Sequence, residues 1–469
     1  MKSQSQVSTC KTHDVIVIGG GSAGYAAART ARDAGADVAL VDQGPLGGLC
    51  ILRGCMPTKA ILRSAEVAAL LRRAKEFGLS PVSPSADLSA IVDRKDRLIR
   101  EFADYRIQQL RDPAFVLYES RGKFCSPREI DIGGSRLSAR TFIIATGSNP
   151  SDVAIPGLSD IDVFTSDTIL DLRTQPDSLL ILGAGPVALE LGQFFARLGT
   201  KVTILQRGHT VLSQMDEDVG LALEAALKED GIEIVTEAQV LRVICQEGRK
   251  SVSVQHHGQE RVVAAETILH ALGRRPNIAG LQLDAAGVDV TEGRIVVDAA
   301  MRTSQPHIFA VGDVNDLNPI VHLAIQQGEI AGYNATHAGK PSKNIDHRLD
   351  AEVVFTEPQV AVVGLNERMC RSKGICYLTA SYPFADHGKA LCLGASHGFV
   401  KLLCAPLTGE LLGAQIVGPE ASELIHELIA VMYYHGTVAD LLRMPHYHPT
   451  LAEIVTYPAE SLVKQLGAE

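Results

Sequence analysis

Two copies of one strand, glycine-turn and helix signature constrain this chain more than any other feature. The first spans residues 14–24, DVIVIGGGSAG, where a short apolar strand runs into Gly19, Gly21 and Gly24, with Ser22 and Ala23 opening the helix YAAARTARDAG. The next strand, VALVD, ends in Asp42. The glycines allow a tight turn and close approach of a pyrophosphate, the helix N-terminus faces phosphate charge, and the carboxylate stands where a ribose hydroxyl would be. The second copy, LLILGAGPVALE at residues 179–190, carries Gly183, Gly185, Pro186 and Val187, with Ala188 where a third glycine could stand. Its following strand ends in Gln206 and Arg207 instead of an acid. A carboxylate there favours the ribose of NAD, and an arginine accommodates the extra phosphate of NADP. This tilts the second unit modestly toward NADP, with a solvated turn residue as the plain alternative for Arg207.

Length and composition set the frame around the two units. A chain of 469 residues, 46% hydrophobic and with a net charge of −10, is expected to form a soluble protein of several domains. No block of Lys and Arg stands out, so nucleic acid and anionic membrane are poor partner guesses. No apolar run reaches the ~18 residues that a membrane span needs. The polar N-terminus enters its first strand without a secretory-type core, so a cytoplasmic location is expected. Nine irregularly spaced cysteines do not form a secreted disulfide framework.

The segment GGLCILRGCMPTKA, residues 47–60, holds Cys50 and Cys55. Residues five apart in a regular helix have Cα atoms about 8 to 9 Å apart, beyond the roughly 7 Å limit for a disulfide. A bridge therefore requires Cys50 on an entering turn and Cys55 in the first turn of a helix, with Gly47, Gly48 and Gly54 supplying backbone freedom. Pro57 suits that first turn. A helix N-terminus lowers thiol pKa values, which favours an exchanging pair. Metal binding is the less favoured reading, and no metal is expected, because no second Cys or His pair has suitable spacing. Near the other end, MPHYHPTLAEIVTYPAE places His448 before Pro449 and Glu453 at an expected helix start capped by Thr450. A histidine oriented by a carboxylate is a general acid–base candidate. The remaining cysteines, Cys10, Cys125, Cys245, Cys370, Cys376, Cys392 and Cys404, are mostly expected as small hydrophobes. His322 is expected to pack at a helix start, and His256–His257 to form a hairpin tip.

Taken in order, GGGSAG, GGLCILRGCMPTK, ATGSNP (145–150), GAGPVALE, ALGRRPN (271–277), IFAVGDV (308–314), FTEPQVAVVGL (355–365) and HYHPTLAE (446–453) resemble the class I flavoprotein disulfide reductases. These form the pyridine nucleotide-disulfide oxidoreductase family, and the branch most similar is the dihydrolipoamide dehydrogenases. The resemblance covers nearly the whole chain. It implies an α/β fold with two Rossmann-like nucleotide-binding domains, for FAD and NAD(P), plus a C-terminal α+β dimerisation domain. FAD would lie on the first fingerprint, with Asp42, Gly48, Gly122, Thr146, Gly147, Gly312 and Asp313 around it, Asp313 closing the strand of IFAVGD. Lys59 would sit by the flavin and pair with Glu190. Gly183, Gly185, Pro186, Val187, Gln206, Arg207 and Gly273 would line the NAD(P) site. Cys50 would be the interchange thiol and Cys55 the charge-transfer thiol. His448, held by Glu453, would serve Cys50 across a homodimer interface, so each active site would need two chains.

The implied boundaries are an FAD-binding domain over 1–151, an NAD(P)-binding domain over 152–277, a return segment over 278–346 and a dimerisation domain over 347–469. Leu49 and Leu52–Arg53 depart from the more familiar redox segment, and Arg53 either steadies a thiolate or pairs at the surface. The end, KQLGAE, lacks the adjacent cysteines of mercuric reductases, which points to another substrate. The expected activity is FAD-dependent dithiol/disulfide exchange with a lipoyl-type substrate. Rivals are an NADPH-dependent reductase of another small or protein disulfide, a flavin NAD(P)H oxidase or peroxidase, and a catalytically silent subunit.

Overall fold

The computed structural model describes residues 11–246 and 249–467; Cys10 lies outside them. The described chain divides into two units. One runs to Pro57 and resumes over Arg94–Asp152 and Arg274–Ile345; the other comprises Thr58–Asp93, Val153–Gly273 and the chain from Asp346.

The first unit is built on a seven-stranded sheet. Its parallel part orders Val116–Glu119, Val38–Asp42, Lys11–Ile18, Ser135–Ile144 and Ile308–Ala310, while Glu129–Ile132 and Gly122–Ser126 extend it as antiparallel hairpin strands. Val15 to Ile18 are all buried, because a parallel sheet is covered on both faces and its strands read as unbroken apolar runs. The helix Ser22–Asp33 covers one face with alanines and packs closely against the helix Val321–Thr336. A Cβ on Gly332 would come within 2.5 Å of the Ala27 carbonyl, so the helices cross at a distance only glycine permits.

The second unit repeats the parallel plan with the order Glu233–Val235, Lys201–Leu205, Ser178–Leu182, Thr267–His270 and Phe164–Thr165. Gly185 caps the helix Pro186–Leu198, and proline at the first helical position needs no N–H partner. A three-stranded antiparallel sheet, Gln239–Gln246, Arg249–His256 and Gln259–Ala265, carries His256 and His257 at one turn. The last part is a five-stranded antiparallel sheet ordered Ala351–Val354, Gln359–Gly364, Leu411–Gly418, Phe399–Cys404 and Leu378–Pro383. The helices Ala421–Tyr433 and Thr456–Gln465 pack on it over Ile425, Leu428, Ala459 and Leu462, all buried.

Within this unit Lys401 is buried and its ammonium donates to Asp216 at 2.9 Å, Asp218 at 2.8 Å and Glu367 at 3.3 Å. Burial opposes the Asp216 charge, but hydrogen bonds from Lys401, Gln415 and the Arg368 backbone outweigh it and hold the carboxyl below its usual range. That contribution to stability is present above the ordinary carboxylate range and is lost as pH falls through the lowered value.

Four expectations change here. Cys370 and Cys404 are buried, but Cys245, Cys376 and Cys392 are exposed and Cys125 is intermediate, because strand alternation and helix ends turn them outward. His322 opens the helix Val321–Thr336 but is exposed instead of packed. Thr450 caps no helix: its hydroxyl donates to the Tyr447 carbonyl, and Glu453 lies in a 3-10 turn, Ala452–Val455, before the helix from Thr456. Asp313 lies in the 3-10 turn Gly312–Asn315, beyond the strand Ile308–Ala310 instead of closing it.

Lys401→Met leaves three carboxylates facing one another without their cation. It is expected to cost about 3–5 kcal/mol, read as a fall in the thermal midpoint that narrows as pH drops into the carboxylate range.

Candidate active site

In the first unit, the C-terminal ends of the parallel strands open into a cavity of about 210 Å³ lined in part by Gly19, Gly21, Asp42, Gly122, Thr146 and Gly147. The strands Lys11–Ile18 and Ser135–Ile144 part here, the switch point at which open α/β sheets take ligands. A Cβ on Gly24 would collide with the Gly19 carbonyl, and one on Gly19 with the Ala145 carbonyl, so the turn exists only with bare Cα atoms. No side chain caps the helix that begins at Ser22, so the first N–H groups, at Ser22, Ala23 and Gly24, are left for an anion. Asp42 accepts from the backbone of Gly20 at 2.5 Å and Gly44 at 2.6 Å, which fixes its carboxylate at the cavity wall. Thr146 and Asn277 clasp each other through the Thr146 hydroxyl on the Asn277 carbonyl (2.7 Å) and the Asn277 amide on the Thr146 carbonyl (3.2 Å). Asp313 accepts from the Ser148 hydroxyl at 2.6 Å, and Ser148 in turn lines the cavity. Gly312 follows the strand Ile308–Ala310 and is held by Gln327. A dinucleotide such as FAD fits this uncapped, glycine-built cradle.

The two cysteines occupy separate helices in the order their spacing requires. Cys50 lies in the short turn Leu49–Leu52, capped by Gly48, and Cys55 begins the helix Cys55–Arg73. Gly54 joins them; a Cβ there would stand 3.1 Å from the Leu49 carbonyl and 3.2 Å from the Cys50 Cα. Both thiols are half-buried. Arg53 is exposed. An arginine absent from the sequence reading, Arg106, stacks its guanidinium 4.3 Å over the Tyr25 ring. Burial lowers the Arg106 pKa, while the charges of Tyr25 and Cys50 act to raise it. No motif surrounds Arg106, so only the fold could reveal it.

In the second unit the Lys59 ammonium donates to both oxygens of Glu190, at 2.7 and 3.0 Å, and lies 4.4 Å over the Phe355 ring. Glu190 is buried and also accepts from the Phe355 backbone at 2.9 Å. At the second fingerprint a Cβ on Gly183 would meet the Ala271 carbonyl at 2.6 Å, and the helix after Gly185 has no side-chain cap. Pro186 and Val187 form its first turn. Gln206 donates to the Thr210 carbonyl at 3.0 Å, Arg207 is exposed, and Gly273 has a φ of 103°. This cradle also fits a dinucleotide.

His448 is exposed, and its Nδ1 lies 2.9 and 3.1 Å from the two oxygens of Glu453. A carboxylate only accepts, so Nδ1 carries the hydrogen and Nε2 is left as a base facing outward from the pair. His446 anchors the same loop between the Met444 carbonyl (3.0 Å) and Glu427 (2.7 Å). Behind Glu453 stands a buried residue that sequence reasoning passed over, His387, whose Nε2 is 3.5 Å from Glu453 Oε1. Among the described residues, no helix is long and apolar enough to cross a membrane.

Comparison with known proteins agrees with this geometry. The profile of the pyridine nucleotide-disulphide oxidoreductases matches residues 13–328, and that of their dimerisation domain matches 351–459. The chain is 36% identical over 459 residues to a dihydrolipoyl dehydrogenase of Thermus scotoductus, spanning 97% of this chain and 98% of that one. It is 33% identical over 430 residues to a mercuric reductase of Staphylococcus aureus, spanning 91% of this chain and 78% of that one. Among solved structures, LpdA from Mycobacterium tuberculosis superposes with a TM-score of 0.86 at 28% identity, over 96% of this chain and 99% of that one.

Two outcomes follow from the site. Gly24→Ala forces the helix start away from the Gly19 carbonyl and is expected to strip most of the bound flavin, read as the ratio of visible to ultraviolet absorbance after gel filtration. Burial pushes the Cys404 thiol up to about 11, so at pH 8 iodoacetamide is expected to spare Cys404 in the folded protein while labelling the exposed Cys376 and Cys392, as mapped by mass spectrometry.

Proposed function

The chain belongs to the pyridine nucleotide-disulphide oxidoreductase family, an FAD-dependent oxidoreductase with NAD(P)-binding and dimerisation domains, and from that premise we propose that it exchanges a dithiol and a disulfide through Cys50 and Cys55, with a lipoyl group as substrate. The observation that carries this reading is the placement of the two cysteines on consecutive turns joined at Gly54, in the unit that holds the first nucleotide cradle. Near-full-length similarity to a dihydrolipoyl dehydrogenase supports the substrate.

In the oxidising direction, a thiolate of the external dithiol attacks Cys50 Sγ of the Cys50–Cys55 disulfide. The S–S bond breaks and Cys55 leaves as a thiolate. His448 Nε2 takes the proton of the second external thiol, whose sulfur displaces Cys50 and closes the product disulfide. The two electrons then reside on the Cys50–Cys55 dithiol. Bound FAD and NAD(P) supply the onward two-electron carriage. Glu453 holds His448 in the tautomer that leaves Nε2 basic, and Glu190 fixes the Lys59 ammonium beside the start of the helix that Cys55 opens. Asp42, Gly122, Thr146, Gly147 and Asp313 would hold the flavin nucleotide, and Gly183, Gly185, Pro186, Val187, Gln206, Arg207 and Gly273 the nicotinamide nucleotide. The exposure of His448 suits a residue that serves the Cys50 of a second copy, which makes a homodimer with shared sites the working unit. A thiol pair that cycles suits the reducing cytoplasm. Reduction of Hg(II) is the second reading, on the similarity to mercuric reductases.

The test is an anaerobic titration of the yellow holoenzyme with NADH and, separately, NADPH, followed by lipoamide or Hg(II). A long-wavelength band near ~530 nm that vanishes in Cys55→Ser is expected for a thiolate in contact with flavin, and rapid reoxidation by lipoamide identifies the substrate. Flavin bleaching without that band defeats the reading.

A further inference from the structure

Behind the His448–Glu453 pair, His387 sits in an apolar setting that leaves its ring unsatisfied. Its ring is fully buried, and among the described residues neither ring nitrogen has a hydrogen-bond partner. Leaving such a group unsatisfied in an apolar interior is destabilising. The ring stands edge-on to Phe384 (6.5 Å, 87°) and to Tyr457 (6.1 Å, 81°), which fixes its plane. Its backbone lies between the 3-10 turn Phe384–Asp386 and the short helix Gly388–Cys392. Oε1 of Glu453 lies 3.5 Å from Nε2, just outside hydrogen-bond geometry. The same Oε1 lies 3.1 Å from His448 Nδ1. Burial pushes His387 below the usual histidine range, while the Glu453 charge works in the opposite direction. A neutral imidazole beside a carboxylate presents its N–H to it. Three side chains thus line up from core to solvent: a buried histidine, a nearly buried glutamate and an exposed histidine.

We infer that His387 is a positioning residue whose Nε2–H steadies the Glu453 carboxylate, and through it the orientation of the His448 ring. A shift of about half an ångström in the Glu453 side chain closes the contact to an ordinary hydrogen bond, so the pair tightens when His448 draws on Glu453 during proton transfer. Apo-state catalytic hydrogen bonds are often long and shorten in the working complex. The inference rests on the acid–base role proposed for His448, and the experiment separates the two.

The holoenzyme is compared with His387→Gln, which keeps an N–H donor directed at Glu453, and His387→Leu, which keeps bulk without a donor. Each is made alone and together with Glu453→Gln, beside His448→Ala. His387→Leu is expected to lower kcat for lipoamide about tenfold, a fraction of the 10²–10⁴ that general acid–base catalysis supplies, with KM within about twofold. His387→Gln is expected to retain most of kcat, and His387→Leu is expected to add nothing to Glu453→Gln in the double variant. His387→Asn, whose amide is too short to reach, replaces His387→Leu if that variant does not fold. Equal kcat in the Gln and Leu variants, or losses that add to those of Glu453→Gln, overturns the inference while leaving His448 in place. Full turnover in His448→Ala overturns the acid–base reading and the inference with it.

Discussion

The constraint on which the nucleotide sites depend is backbone touching backbone at the tops of two parallel sheets. In the first unit the turn after Ile18 passes so close to the Ala145 carbonyl that no side chain fits at Gly19. In the second, Gly183 approaches the Ala271 carbonyl in the same manner. The absence of a Cβ does two things at once: it lets neighbouring strands splay into a crevice, and it aims the N–H groups of the next helix into that crevice with no side chain capping them. Gly48, which caps the turn bearing Cys50, would bring a Cβ within 2.7 Å of Gly21 Cα, so the segment that holds Cys50 is packed directly onto the first of these two turns.

The thiol pair shows how a local irregularity becomes chemistry. A continuous helix through Leu49–Arg73 would separate the cysteines too widely for a bridge. The break at Arg53–Gly54 starts a new helix at Cys55, so this thiol stands at a helix N-terminus, where a thiolate is favoured. The exposed Cys376 and Cys392 have no such setting, and the buried Cys404 is driven the other way by desolvation. Position at a helix N-terminus, more than exposure, is what distinguishes Cys55 from the rest.

Residues whose role is steric were legible from sequence, because only glycine satisfies the geometry and its spacing marks the turn. Both fingerprints and the two-helix placement of the cysteines belong to this group. The Lys59–Glu190 contact joins residues far apart in the chain, and only the resemblance to a family pointed to it. Arg106 and His387 left no trace, since their significance comes from the ring contact of one and the burial of the other, which no local pattern encodes. Thr450 failed as a helix cap because its hydroxyl closes a loop on the Tyr447 carbonyl, and the helix starts later, at Thr456. The exposed cysteines failed for a similar reason: apolar neighbours in sequence do not determine which way a side chain faces.

The dimerisation domain carries an internal argument for why its histidine is in the open. A general base sealed inside one chain could be shielded by that chain, yet His448, the base proposed above, is 78% exposed while Glu453 is 12% exposed. The same domain leaves Tyr433, Tyr434 and Tyr447 at least 60% exposed. Large aromatic surface on an isolated domain is a liability unless another surface covers it. A second copy docking on this domain would cover aromatic rings and withdraw His448 from water, strengthening its pairing with Glu453 in the drier surroundings. Assembly and activation of the base would then be a single event, and a chain held as a monomer would keep both cysteines and both nucleotide cradles yet lack its proton carrier.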